Sequence, residues 1–247
     1  MFGEYFTDFH KNLAEKKKPA KKTEGKAAPK KASAKKASGK AAAIDIKKIQ
    51  DKISRIIPSR LSIDAVRAID DTGFSPDGID LVIYDEYCPD IIKIMGGYVP
   101  SDLIYGTIHL VQKLTAKTLQ DVLNNVTAAK KLNTFSEYYD RENDPVRPAF
   151  IIAAQSDYSF QELKNDVLNY YMSKSIDSLY EFDILTVLNN GLVIKDWREK
   201  RNFIALETKE DTGLWFFILM NEYLEVERKA SIDFRKYVKK DVVYREF

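Results

Sequence analysis

The most conspicuous chemistry in the chain is a run of eleven lysines, Lys16, Lys17, Lys18, Lys21, Lys22, Lys26, Lys30, Lys31, Lys35, Lys36 and Lys40, interspersed with Ala, Pro, Ser and Gly. Ammonium groups so arranged neutralise phosphates without reading bases. The run has no aromatic ring on which an unpaired base could stack. Asp80 and Asp85 bracket a β-branched apolar stretch, IDLVIYD. Each is either a carboxylate presented at a strand end or an ordinary acceptor of turn N–H groups. His109 and Lys113 fall in and just after a second apolar stretch, and with Val111 they share one parity of an extended strand. One histidine with one aspartate is a poor ligand set for Mg²⁺, which prefers hard oxygens. Both residues therefore also read as ordinary polar side chains. Glu207-Thr208-Lys209 has a Glu-x-Lys spacing in another expected strand, but such triplets arise readily by chance in a chain with 31% charged residues. Cys88, just before Pro89, has no activating neighbour in sequence and reads as a structural thiol. No Gly-rich phosphate loop, Gly-x-Ser-x-Gly elbow or His-Glu-x-x-His helix occurs.

The charge distribution sets these groups in context. The 247 residues hold 39 Lys plus Arg and 37 Asp plus Glu, a formal net charge of +2. Residues 16–40 alone carry +10 and residues 1–15 carry −2, leaving −6 on residues 41–247. The chain is an acidic body with a basic segment, so contact with nucleic acid is expected through residues 16–40. A hydrophobic content of 45% supports a real core. The longest apolar run, Leu214–Met220, is far short of a membrane span, and MFGEYFTDFHKN is not a secretory signal. A single cysteine excludes an internal disulfide and a Cys-rich zinc site, and fits a reducing, cytoplasmic setting, nucleoid-associated if the basic segment meets DNA.

The elements that must position these groups follow from periodicity. Residues 1–14 place Phe2, Tyr5, Phe6, Phe9 and Leu13 on one helical stripe, a short amphipathic helix suited to docking on the body or on a partner through Phe2, Phe6 and Phe9. Residues 15–43 contain no large apolar side chain and are expected to be disordered. Residues 44–247 then form the globular domain. Within it the isoleucines of 44–57 predict a helix ending at Pro58. Residues 61–69 predict an extended segment, 79–84 and 103–110 strands, and 86–98 a loop with a short apolar piece. Thr115–Leu132 predicts a capped helix, 149–155 a buried strand and 160–176 a further helix. Strands 182–188 and 192–195 are joined at Asn189-Asn190-Gly191, a hairpin signal; a strand at 202–207 and an apolar helix at 213–227 complete the body. The class is α/β, or mixed α+β.

PSRLSI, SPDGIDLVIYDEYCP and YVPSDLIYGTIHLVQKLTAKTL, between residues 58 and 132, carry a resemblance. This stretch resembles an uncharacterised bacterial family with a restriction-endonuclease-like core, of the PD-(D/E)XK nuclease superfamily. More loosely, the likeness extends through FDILTVLNNG to the C-terminus. It implies a central mixed sheet flanked by helices. In that superfamily a strand-end carboxylate and a Glu on the next strand hold Mg²⁺, and a Lys two residues later helps activate water. The resemblance puts the aspartate at Asp80, the Glu position at His109 and the Lys position at Val111. A further helix acid would fall near Asp45. Tyr105, Gln112, Leu114 and Leu119 keep the pattern, whereas Gly78 replaces a glutamine.

With His109-Leu110-Val111 in place of Glu-Val-Lys, the expectation is a non-catalytic nuclease-fold protein, a pseudoenzyme binding nucleic acid through its Lys-rich segment. Its setting would be a phage-related or genome-handling system, and no cofactor is expected. The alternatives are a Mg²⁺-dependent nuclease with a rearranged site using Asp80, His109 and Lys113, Asp80 being the metal carboxylate, or a protein-interaction module.

Overall fold

The computed structural model describes residues 44–70, 72–86, 90–133, 147–196, 202–225 and 245–246. The expected aromatic helix at 1–14, the Lys-rich segment 15–43 and Cys88 lie outside the described residues.

The first helix, α1 (Ile46–Ile53), starts where the Asp45 carboxylate accepts the Lys48 N–H and buries Ile49 and Ile53. Residues 61–69 are extended as expected but divide between two sheets. β1 (Leu61–Asp64) enters the main sheet, and β2 (Arg67–Ile69) pairs in parallel with β4 (Tyr98–Pro100) in a two-stranded one. β3 (Leu81–Asp85) follows, and the expected loop after it contains a short helix, α2 (Ile91–Ile94), before β4. β5 (Ile104–Val111) pairs antiparallel with β3 and leads into α3 (Ala116–Lys130). α3 opens with a capping box between Thr115 and Thr118.

The second half adds β6 (Ala149–Ala153), α4 (Phe160–Ser173), β7 (Ile184–Val187), β8 (Gly191–Lys195), β9 (Phe203–Glu207), α5 (Thr212–Leu224) and β10 (Arg245–Glu246). A second capping box, Ser159 with Glu162, starts α4. The β7–β8 hairpin closes with Val187 opposite Gly191. The left-handed residue of its turn is Asn189 (φ 58°), not the glycine, because Asn tolerates that region and Gly191 already belongs to the strand.

The main sheet has eight strands in the order β1-β3-β5-β6-β7-β8-β9-β10. β5, β6 and β7 run parallel, and the remaining pairs are antiparallel. Every residue of β6 and β7 is buried, as expected for central parallel strands covered on both faces. One face packs on α1 and α5, through Ile53, Ile108, Phe150, Phe216 and Leu224. The other packs on α3 and α4, through Val111, Leu123, Ile151, Leu163 and Val193. Among the described residues no helix is long and apolar enough to cross a membrane.

Candidate functional site

Asp80 stands immediately before β3, and the pairing of Leu81 with Ile108 carries it to a position opposite His109 on β5. Alternation puts Asp80, His109 and Val111 on one face of the sheet, the α3 side. The three positions that the superfamily resemblance singled out are therefore neighbours in space.

Three hydrogen bonds zip residues 78–80 to residues 108–110. The Asp80 N–H donates to the Ile108 carbonyl at 3.0 Å. The Leu110 N–H donates to Asp80 Oδ2 at 2.6 Å. His109 Nδ1 lies 2.7 Å from the Gly78 carbonyl oxygen. A carbonyl only accepts, so Nδ1 must carry the proton. Nε2 is then the acceptor, and it lies 3.3 Å from the Thr107 hydroxyl.

His109 is 1% exposed, and burial pulls its imidazole down to about 4, so the ring is neutral at physiological pH. With one ring nitrogen on Gly78 and the other on Thr107, it offers none to a metal. Asp80 differs. Its carboxyl is half-buried and held above the ordinary carboxylate range, because desolvation outweighs the Leu110 N–H that favours the anion. Among the described residues only Oδ2 takes a hydrogen bond, and the carboxylate is partly exposed.

Gly78 fixes the approach to this carboxylate. Its φ is +78°, and a Cβ built there would lie 2.1 Å from the Asn125 Nδ2 on α3. A glutamine, which the family pattern has here, fits neither the backbone conformation nor the space.

Lys113 sits beyond the end of β5 and turns the other way. Its Nζ pairs with Asp157 Oδ1 at 2.7 Å, on the β6 side. The structure thus brings Asp80 and His109 together and leaves Lys113 on the opposite flank of the strand. Ile44, just before the Asp45 cap of α1, donates its N–H to Gln112 Oε1 at 2.6 Å, bringing the start of that helix to the same strand end. Asp85 ends β3 opposite Leu61, at the far end of that strand from Asp80. Glu207-Thr208-Lys209 begins on β9, separated from β5 by three strands.

Sequence reasoning missed Thr107, Asn125 and Asp157. Thr107 had a usable signal, since it shares strand parity with His109. The other two are contacts across elements that no local pattern announces.

Among the described residues no group of three or more His, Cys, Asp or Glu is placed to hold a metal. Mg²⁺ is often held by one or two carboxylates, with water and substrate phosphate completing the shell. Asp80, a partly exposed carboxylate, fits that role as a single ligand; His109 and Val111 do not.

No protein-family model matches the chain, and no curated protein matches it. Solved structures do. The NucC of E. coli MS115-1 in its apo form superposes with a TM-score of 0.60 at 18% identity, covering 78% of this chain and 88% of that one. NucC of P. aeruginosa ATCC27853 in its cAAA-bound form gives 0.58 at 15% identity, over 72% and 76%. The cAAA-bound form of the E. coli protein gives 0.58 at 17%, over the same shares. The expectation of a non-catalytic protein is corrected here, because these similar structures are of NucC nucleases. Loss of the Glu-x-Lys pair, on which that expectation rested, leaves the strand-end carboxylate in place. What the likeness establishes is the fold: a restriction-endonuclease-like mixed sheet with helices on both faces.

Proposed function

We propose that the chain is a Mg²⁺-dependent nuclease with a rearranged active site at the C-terminal end of β5. The observation that carries this reading is the Asp80 carboxylate. It is anchored on the Leu110 N–H, on the strand and face where the resembled superfamily keeps its catalytic aspartate. The NucC-like fold and the resemblance of residues 58–132 to the uncharacterised bacterial family both support it.

In this reading Asp80 would hold the metal, the other positions being left to water and substrate phosphate. Mg²⁺, when bound, polarises the phosphodiester and lowers the pKa of an attacking water. Lys113 supplies positive charge beside the strand end for a phosphate, giving up its pairing with Asp157. The lysines of residues 16–40 hold the nucleic-acid backbone by charge alone, which offsets repulsion from the acidic body.

Two of the similar structures are cAAA-bound, cAAA being a cyclic oligonucleotide. The test is therefore cleavage of duplex and single-stranded DNA and of RNA, with Mg²⁺ or Mn²⁺, with and without cAAA. Asp80→Asn should lower a metal-dependent rate by about 100-fold or more, as loss of a group used in the transition state does. Lys113→Ala should lower it less. A wild-type protein inert on every substrate under every condition would sink the proposal, as would undiminished cleavage by Asp80→Asn.

A further inference from the structure

We infer that His109 is a positioning residue for Asp80: its protonated Nδ1 clamps the Gly78 carbonyl and thereby fixes the carboxylate two residues on. The functional part of this inference rests on the nuclease reading above; the clamp itself stands on geometry.

Residues 78–80 approach β3 from a polar turn, and nothing in a strand ladder would hold Gly78 against β5. A strand pair bonds backbone to backbone, and here the ladder already ends at Asp80, whose N–H reaches Ile108. Beyond that point side chains take over. Asp80 Oδ2 takes the Leu110 N–H, and His109 reaches back in the opposite sense to the Gly78 carbonyl. Because the two reaches come from opposing residues in opposite directions, together they restrain both slide and rotation of the Gly78–Asp80 segment. Without the His109 reach, Gly78 itself has no bond to β5 among the described residues, and the segment is held only at Asp80.

The ring is itself held. Thr107, two residues away on the same face, faces Nε2 at 3.3 Å. Asn125 packs where a Gly78 side chain would stand. Asp80 stands opposite His109 where the β3–β5 register is continued by one residue. A histidine at the superfamily's Glu position then supplies no metal ligand. It preserves the carboxylate geometry by another route.

The test uses the full-length chain. The sequence has two histidines, His10 and His109, so long-range ¹H–¹⁵N correlations of the imidazoles resolve both, with His109→Asn giving the assignment. The expected result is a neutral Nδ1–H tautomer for His109 whose ring nitrogens do not shift when Mg²⁺ is added. An Nε2–H tautomer, or a Mg²⁺-dependent shift of a ring nitrogen, overturns the clamp. Kinetics supply the second readout. Asn places an N–H close to where Nδ1–H stood, so His109→Asn should cleave within about threefold of wild type. His109→Leu, which cannot donate, should lose about 100-fold in kcat with KM little changed, as about 1 Å of misplacement does. Should His109→Leu fold poorly, Thr107→Val frees the ring without altering it, and should lower kcat in the same direction by less. Equal activity of the Asn and Leu variants overturns the positioning role. A wild type that never cleaves defeats the nuclease reading instead, and the tautomer then decides the clamp alone.

Discussion

At Asp80 two opposing influences meet. Burial raises its carboxyl above the ordinary range, and the Leu110 N–H only partly offsets that. For an acid whose folded pKa exceeds its unfolded one, the unfolded chain releases its proton first as pH rises. Ionisation of Asp80 therefore costs stability above the folded pKa and costs nothing below the unfolded value, about 4. Asp80→Asn keeps an oxygen for Leu110 and removes the ionisation. It should melt higher than wild type at neutral pH, and the gain should shrink as pH falls through the carboxylate range. Thermal melts of both proteins across pH check this. The same raised pKa should set the acid limb of the cleavage profile above that of an ordinary aspartate. A more stable but inactive Asp80→Asn is the pattern of a functional residue kept despite its effect on stability.

At the level of elements, the other end of the sheet holds a buried ion pair that no sequence pattern reveals. Lys130, in the last turn of α3, pairs through Nζ with Asp183 Oδ2 at 2.5 Å, their side chains 3% and 5% exposed. Asp183 Oδ2 also accepts the Ala149 N–H at the start of β6. The pair thus ties α3 to the entrances of β6 and β7. Glu181 and Lys195 extend the charge network, and Lys195 also donates to the Ser178 carbonyl. Burial pulls the Lys130 ammonium below its usual value, while Asp183 acts to hold it charged. Removing one partner strands the other in a dry site. Lys130→Met should then cost about 3–5 kcal/mol in denaturant unfolding. Lys130→Met with Asp183→Asn should recover most of that, since Asn can still accept from Ala149. Lying at the opposite ends of α3 and β6 from Asp80, both variants should leave kcat unchanged where they remain folded.

For the whole molecule, a body of −6 and a segment of +10 must share one solution. Nucleic-acid affinity should fall steeply with salt. Deleting residues 16–40 should flatten the dependence by about 0.9 in log–log slope for each lysine–phosphate pairing that the deletion removes. Fluorescence anisotropy on duplex DNA, with full-length and deleted protein, measures both slopes. An unchanged slope would assign phosphate binding to the folded body. Much of the architecture behind these expectations was legible in sequence. A β-branched run between Gly78 and Asp85 placed β3, the apolar stretch at 149–155 placed β6, and Asn189-Asn190-Gly191 placed the β7–β8 hairpin. Thr115 marked the start of α3 as its cap, and the apolar spacing from Phe160 placed α4. The split of residues 61–69 between two sheets was not legible, because pairing partners are chosen by neighbours far along the chain. Asp80 was singled out from a strand-end carboxylate and a family resemblance. His109 was found by position and read as an ordinary polar residue sooner than a ligand, but what its two nitrogens meet was not legible. By itself the sequence determined the periodicities, the caps and the separation of charge, all properties of residues close together along the chain. Tertiary structure alone decided that the His109 ring closes on Gly78, that Lys113 turns to Asp157 and that Lys130 lies buried on Asp183. These depend on register between strands and on burial, which exist only once the sheet has formed.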